Sequence, residues 1–342
     1  MAIKRKLFAI IVCVLMFINI VGCGECEHKW GDFKVISEAS CTEEGVKERT
    51  CELCGETNTF NLPITSHKWR LATCTSPKTC KSCGLTQGEP LVHVYNKQTQ
   101  KASALKSQST VENPVNVYYK SCACGKLSDT ETFEIKMMTG KNILIFGDSY
   151  SSYIGTIPNG YSYRAYYDGT NILNSPDQMW WSLLVDERGG NIVRNDSSSG
   201  STMNTKGYHS FIDRLDNLYN SGFFTENQID YVFVLGGTND NKSQYTLGEE
   251  MYSGWTESDL EQVRPAVCYF FTRLREILPN AEIFGLVNRD YIAYDIEMAI
   301  RNSCKYINGK SVILSGIISS SNHPTDIGMM QIKDKVIQAF DK

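Results

Sequence analysis

The stretch Asn142-Ile143-Leu144-Ile145-Phe146-Gly147-Asp148-Ser149-Tyr150-Ser151 decides the fold. It is a short, unbroken apolar run that stops at a Gly-Asp-Ser turn. A run of this length, bounded by turn residues, reads as a strand buried on both faces, as in a parallel sheet. Similar runs follow at Tyr231–Leu235, Ala281–Val287 and Val312–Ile318, with a further strand expected at Asn191–Arg194. Amphipathic stretches lie between and after them, at Phe211–Tyr219, Leu260–Leu278 and Asp326–Phe340. Strands alternating with helices predict an α/β fold, a three-layer α/β/α sandwich with a parallel sheet.

In open parallel sheets, sites form where strands end. Four polar segments are expected at such ends: Gly147-Asp148-Ser149-Tyr150-Ser151, Ser198-Ser199-Gly200-Ser201, Gly236-Gly237-Thr238-Asn239-Asp240 and Asn322-His323-Pro324. A serine hydroxyl needs a neighbouring base to become a nucleophile. Of the two histidines in this half, His209 and His323, only His323 follows a strand run. Attack on an ester builds negative charge on oxygen, which backbone and amide N–H donors stabilise. Taken singly, each segment also reads as an ordinary turn, cap or helix start.

The four segments in this order resemble the SGNH (GDSL-type) hydrolase family, over Lys141 to the end. The resemblance implies a carboxylic ester hydrolase that needs no cofactor for catalysis. It casts Ser149 as nucleophile, Gly200 and Asn239 as oxyanion donors, and His323 as base. One position departs from the family pattern. An Asp usually stands three residues before the His, and here that residue is Ser320. A backbone carbonyl, the Ser320 hydroxyl, or an acid such as Asp290 or Asp326 is then needed to orient the imidazole. The expected substrate is a small ester or an acylated glycan, with acetyl removal from carbohydrate as one form. The competing reading is a catalytically silent, hydrolase-like binding protein. Tyr150, Tyr153, Tyr161, Tyr163, Tyr166 and Tyr167 crowd the segment after Ser149, followed by Trp180 and Trp181. Aromatic faces can stack on sugars, but packing is the plainer expectation, for Trp180 above all.

Upstream the composition changes. The chain of 342 residues suits two domains, and nine of its thirteen cysteines fall between Cys26 and Cys124. His28-Lys29-Trp30 recurs as His67-Lys68-Trp69, and His93-Val94-Tyr95 echoes both. These mark small β repeats at 28–66, 67–92 and, in degenerate form, 93–135. A CxxCG turn can aim two thiolates at one ion, and tetrahedral zinc takes four N or S ligands. The expected sets are Cys41, Cys51, Cys54 and His67, then Cys74, Cys80, Cys83 and His93, with His28 as an alternative to His67. A disulfide framework competes with zinc. The repeats resemble zinc-ribbon-like modules of bacterial surface proteins. Cys268 and Cys304 lack ligand spacing and are expected as buried free thiols.

At the start, Lys4, Arg5 and Lys6 precede an apolar run, Leu7–Ile20, with the layout of a signal peptide over residues 1–22. Ile20-Val21-Gly22-Cys23 resembles the lipobox of bacterial lipoproteins, which implies lipidation of Cys23 and anchoring at the outer face of a bacterial membrane. The organisation expected is thus a signal at 1–22, repeats at 23–138 and the α/β domain at 139–342. Net charge is −4, and about −7 once those three cations are removed, which speaks against a nucleic-acid partner.

Overall fold

The structure is a computed structural model that describes residues 27–164, 173–241 and 244–342. The signal segment, Cys23, Tyr166 and Tyr167 lie outside the described residues. Among the described residues no helix is long and apolar enough to cross a membrane. The chain divides into two compact units, one ending at Val94 and one beginning at Tyr95.

The first unit holds two three-stranded antiparallel sheets. One comprises β1 (Lys34–Ser37), β2 (Gly45–Thr50) and β3 (Thr57–Leu62). The other comprises β4 (Trp69–Arg70), β5 (Lys78–Cys80) and β6 (Thr86–Gln87). The sequence repeat is reproduced bond for bond. Glu52 N–H donates to Lys29 O and Lys81 N–H to Lys68 O, each at 2.8 Å. Gly55 N–H closes onto Cys51 O and Gly84 N–H onto Cys80 O. Both of these glycines have φ of +76°, a left-handed geometry that an L side chain adopts only under strain.

The second unit opens with an antiparallel sheet, β7 (Leu105–Ser107), β8 (Val115–Ser121) and β9 (Leu127–Lys136). From β9 the chain runs straight into the second core. Met138 is fully buried with Ile143 and Leu184, and its N–H donates to Arg188 O at 2.7 Å.

The main sheet comprises β10 (Asn142–Gly147), β11 (Asn191–Ser197), β12 (Tyr231–Leu235), β13 (Glu282–Asn288) and β14 (Lys310–Leu314). Its order is β11-β10-β12-β13-β14, parallel throughout. A two-stranded hairpin, β15 (Ser319–Ser320) and β16 (His323–Pro324), follows. The helices are α1 (Trp180–Arg188), α2 (Phe211–Asn220), α3 (Phe223–Glu226), α4 (Glu257–Leu260), α5 (Val263–Ile277), α6 (Tyr294–Tyr306) and α7 (Asp326–Phe340). Alternate residues of each strand face opposite layers. Leu144, Phe146, Val232 and Val234 pack with α2, α5 and α6. Ile143, Ile145, Phe233 and Leu235 pack with α1 and α7. This is the three-layer α/β/α sandwich expected, with the strand order of the flavodoxin-like class. The order reverses between β10 and β12, and the strands on either side deliver the polar segments there.

One expected strand is shortened. The run Val312–Ile318 stops being strand at Leu314, and Gly316 takes φ +67°. His323 consequently sits on a hairpin beyond the sheet.

Candidate active site

Ser149 follows β10 in a turn whose centre is Asp148. The carbonyl of Asp148 accepts from the N–H of Ser151 and of Ser152, and its carboxylate accepts from Tyr150 N–H at 2.9 Å. Asp148 is fully buried. Burial pushes its pKa up to about 6, and the Tyr150 N–H offsets this in part. The same turn is held from behind by α1. Trp181 Nε1–H donates to Ser151 O at 2.9 Å and Trp180 Nε1–H to Ser151 Oγ at 3.1 Å. Both tryptophans are buried, so they position the Ser149 loop and offer no stacking face. Tyr150 is buried as well, while Tyr163 is exposed.

His323 Nε2 lies 3.0 Å from Ser149 Oγ, and its Nδ1 lies 3.0 Å from Ser321 O. A carbonyl oxygen only accepts, so Nδ1 carries the proton and Nε2 is the lone-pair nitrogen facing the hydroxyl. Ser321 and Asn322 have φ of +47° and +61°. These values make the two-residue turn joining β15 and β16 a primed hairpin turn. That turn curls the Ser321 carbonyl back onto the imidazole two residues later. Tyr150 Oη–H donates to Asn322 O at 2.6 Å and pins the same turn. Of the acids considered from the sequence, Asp290 accepts from Gly316 N–H at 2.7 Å and Ile317 N–H at 3.4 Å. Asp326 accepts from Ile327 N–H at the start of α7. A backbone carbonyl, one of the alternatives left open by the missing Asp, thus accepts from Nδ1.

Gly200 ends the segment after β11, with φ +81°. A Cβ there would meet nothing closer than Tyr208 Cδ1 at 3.9 Å, so the backbone angle and not lack of space calls for glycine. Asn239, after β12, donates through Nδ2 to Ser201 O at 2.9 Å. An amide has two N–H donors, so this bond fixes its plane and leaves the second hydrogen to point elsewhere.

Asp240 ties the two loops together. Its carboxylate accepts from Met203 N–H at 2.9 Å, Asn204 N–H at 3.1 Å and Asn204 Nδ2–H at 2.7 Å. Arg214 of α2, also buried, pairs with Asp196 at 3.0 Å and donates to Gly147 O and Ser201 Oγ, each at 3.2 Å. The sequence alone gives no site role to Asp240 or Arg214, and it offers Tyr150 only as one of several stacking or packing aromatics. A buried acid directly after the amide-bearing Asn239 was the one available signal.

The family model for GDSL-like lipase/acylhydrolase matches residues 141–340. The chain belongs to that family. A GDSL-like lipase from Bacteroides uniformis is 30% identical, with a TM-score of 0.53, covering 58% of this chain and 94% of its own. One from Bacteroides ovatus is also 30% identical, with a TM-score of 0.51, covering 58% of this chain and 96% of its own. Comparison with curated proteins gives no match. This member is a GDSL-type ester hydrolase, and its family's chemistry needs no cofactor.

In the first unit the thiols are grouped differently from expectation. Cys41 stands with His67, Cys80 and Cys83, while Cys51 and Cys54 stand with His28. The second expected set, Cys74, Cys80, Cys83 and His93, is not held together: Cys80 and Cys83 stand with Cys41 and His67 instead. Each HKW segment pairs with the CxxC of its own repeat, through Trp30 with Cys51 and Trp69 with Cys80. That pairing draws His28 and His67 to those thiols. His67 therefore does not serve the Cys51–Cys54 turn. The Cys51 thiol is lowered to about 6. Burial opposes this, and the Cys54 N–H, the His28 side chain and the Leu53 N–H outweigh it. Cys268 and Cys304 are buried in the second unit, and burial raises both thiols.

Proposed function

We propose that Ser149 is the nucleophile of an acyl-enzyme mechanism. The observation that carries this reading is the 3.0 Å approach of His323 Nε2 to Ser149 Oγ, with Nδ1 held by a carbonyl. Ser149 Oγ attacks the ester carbonyl carbon as its proton passes to Nε2. The oxyanion is received by the N–H groups of Ser149 and Gly200 and by the second Nδ2–H of Asn239. Collapse expels the alcohol, which takes the proton from His323. Water, deprotonated by the same nitrogen, then frees the acid.

The substrate class is a small acyl ester carried on a glycan. Tyr208 supports it: the residue is exposed, close to Gly200, and stacked on His209 with ring centroids 4.2 Å apart. A phenol ring beside the oxyanion site offers a flat apolar face to a sugar. The enzyme works outside the cell, exported by residues 1–22 and anchored through lipid on Cys23. The Cys/His groups of the first unit hold structural zinc.

A fluorophosphonate probe tests the nucleophile. Ser149 is to be labelled and Ser149→Ala is to abolish labelling. A folded protein that stays unlabelled between pH 6 and 9 would return the domain to the silent, binding-only reading.

A further inference from the structure

We infer that successive repeats of the first unit share their metal: Cys41, from the first repeat, completes a zinc site otherwise built by His67, Cys80 and Cys83 of the second. The inference rests on the zinc reading above and specifies its ligands.

The geometry is that of a tetrahedron. With Zn–S of about 2.3 Å and Zn–N of about 2.0–2.1 Å, a tetrahedral ion sets S···S edges of about 3.8 Å and S···N edges of about 3.5 Å. Cys41 Sγ and Cys80 Sγ are 3.8 Å apart. Cys83 Sγ and His67 Nδ1 are 3.5 Å apart. All four ligand atoms lie within 4.8 Å of one another. A disulfide would require the sulfurs at about 2.05 Å. Three thiols and one imidazole make a complete structural zinc set with no position left for water.

The backbone explains how a cysteine from the preceding repeat arrives there. Thr65 N–H donates to Ser40 O at 2.8 Å, which sets the Cys41 turn beside the segment leading to His67. The following repeat copies the device, since Leu91 N–H donates to Thr73 O at 2.8 Å, one residue before Cys74. The Cys80–Gly84 turn supplies the other two thiols on the far side.

Energetics point the same way. Among described residues 27–94, the buried side chains are Cys41, Cys51 and Cys80 alone. Phe33, Ile36, Phe60, Leu71 and Leu85 are all exposed. A unit with so little apolar burial cannot offset the entropy of ordering its chain and needs a covalent or metal cross-link. A tie from Cys41 to Cys80 joins one sheet to the next, where a site closed within one repeat would leave them unlinked.

The test uses the purified full chain, zinc analysis, and thiol alkylation read by mass spectrometry. The expected result is bound zinc with Cys41, Cys80 and Cys83 protected together and released together by a chelator, which requires no variant. Cys41→Ser should raise the alkylation rate of Cys80 and Cys83 at least tenfold and leave Cys51 and Cys54 as they were. Cys41→His, which keeps a nitrogen ligand, should restore protection. If zinc is bound but Cys41→Ser exposes Cys51 and Cys54 instead, the shared site is wrong and zinc stands. If no zinc is bound and Cys41 is found in a disulfide, the zinc reading itself fails.

Discussion

Tyr150→Phe isolates the pin on the hairpin that carries His323. Tyr150 is 2% exposed, and its hydroxyl donates to Asn322 O at 2.6 Å. Burial raises its phenol far above the ordinary range, so it remains a donor throughout any assay. Phenylalanine keeps the ring, whose centroid lies 5.3 Å from that of His323, and removes only the hydrogen bond. A neutral bond of this kind contributes about 0.5–1.5 kcal/mol net. If that energy is expressed fully in placing His323, kcat falls by about 2- to 13-fold, since about 1.36 kcal/mol is tenfold. Tm should fall by roughly 1–6 °C for a unit of this size. KM should hold, because a side chain so buried touches no substrate. The assay is hydrolysis of a small aryl ester, with thermal unfolding on the same samples. A lower Tm with unchanged kcat would refute the pin, and a change confined to KM would show that the hydroxyl faces substrate.

Further outcomes follow from the same geometry. Asn239→Ala should lower kcat by about 10²–10³ with little change in KM, the loss typical of one oxyanion donor; steady-state kinetics decide it. Ser320→Asp places a carboxylate across the hairpin pair from His323, which should raise the imidazole pKa. Because the base acts when neutral, the acidic limb of the kcat/KM profile should move to higher pH. Asp148, whose pKa is pushed up to about 6, binds an extra proton in the folded state between about pH 4 and 6. Unfolding free energy should therefore fall as pH rises across that window, by about 3 kcal/mol. Denaturant titrations of Asp148→Asn should show that component flattened.

Most of the sandwich was legible because its strands are buried on both faces, so their sequences are nearly pure apolar runs. The four polar segments were visible since each interrupts such a run. What escaped was carried by long-range or backbone atoms. Met138 gave no sign that the chain enters the second core directly after the sheet at 105–136, because composition follows the cysteines and not the contacts. The thiol grouping escaped for a related reason. Nearest-neighbour counting pairs Cys41 with the next CxxC, whereas the HKW strand claims that turn for its own histidine. Arg214 on α2 and Asp196 on β11 are buried and paired, and Arg214 donates to Gly147 O and Ser201 Oγ, contacts that no local sequence pattern marks.

The partner of His323 shows why residue identity alone could not settle the mechanism. A family that orients its imidazole with Asp needs only a side chain at a fixed spacing, and sequence records side chains. Here a carbonyl, which every residue owns, accepts from Nδ1, and the informative quantity is the turn that aims it. Ser321-Asn322 is a poor pair for a primed turn compared with Asn-Gly. Two non-glycine residues at positive φ cost on the order of 1–3 kcal/mol each. Such strain persists only where surrounding contacts over-determine the loop, and the Tyr150 bond to Asn322 O is such a contact. A carbonyl also lacks the full charge of a carboxylate, so it fixes the tautomer while stabilising the imidazolium less.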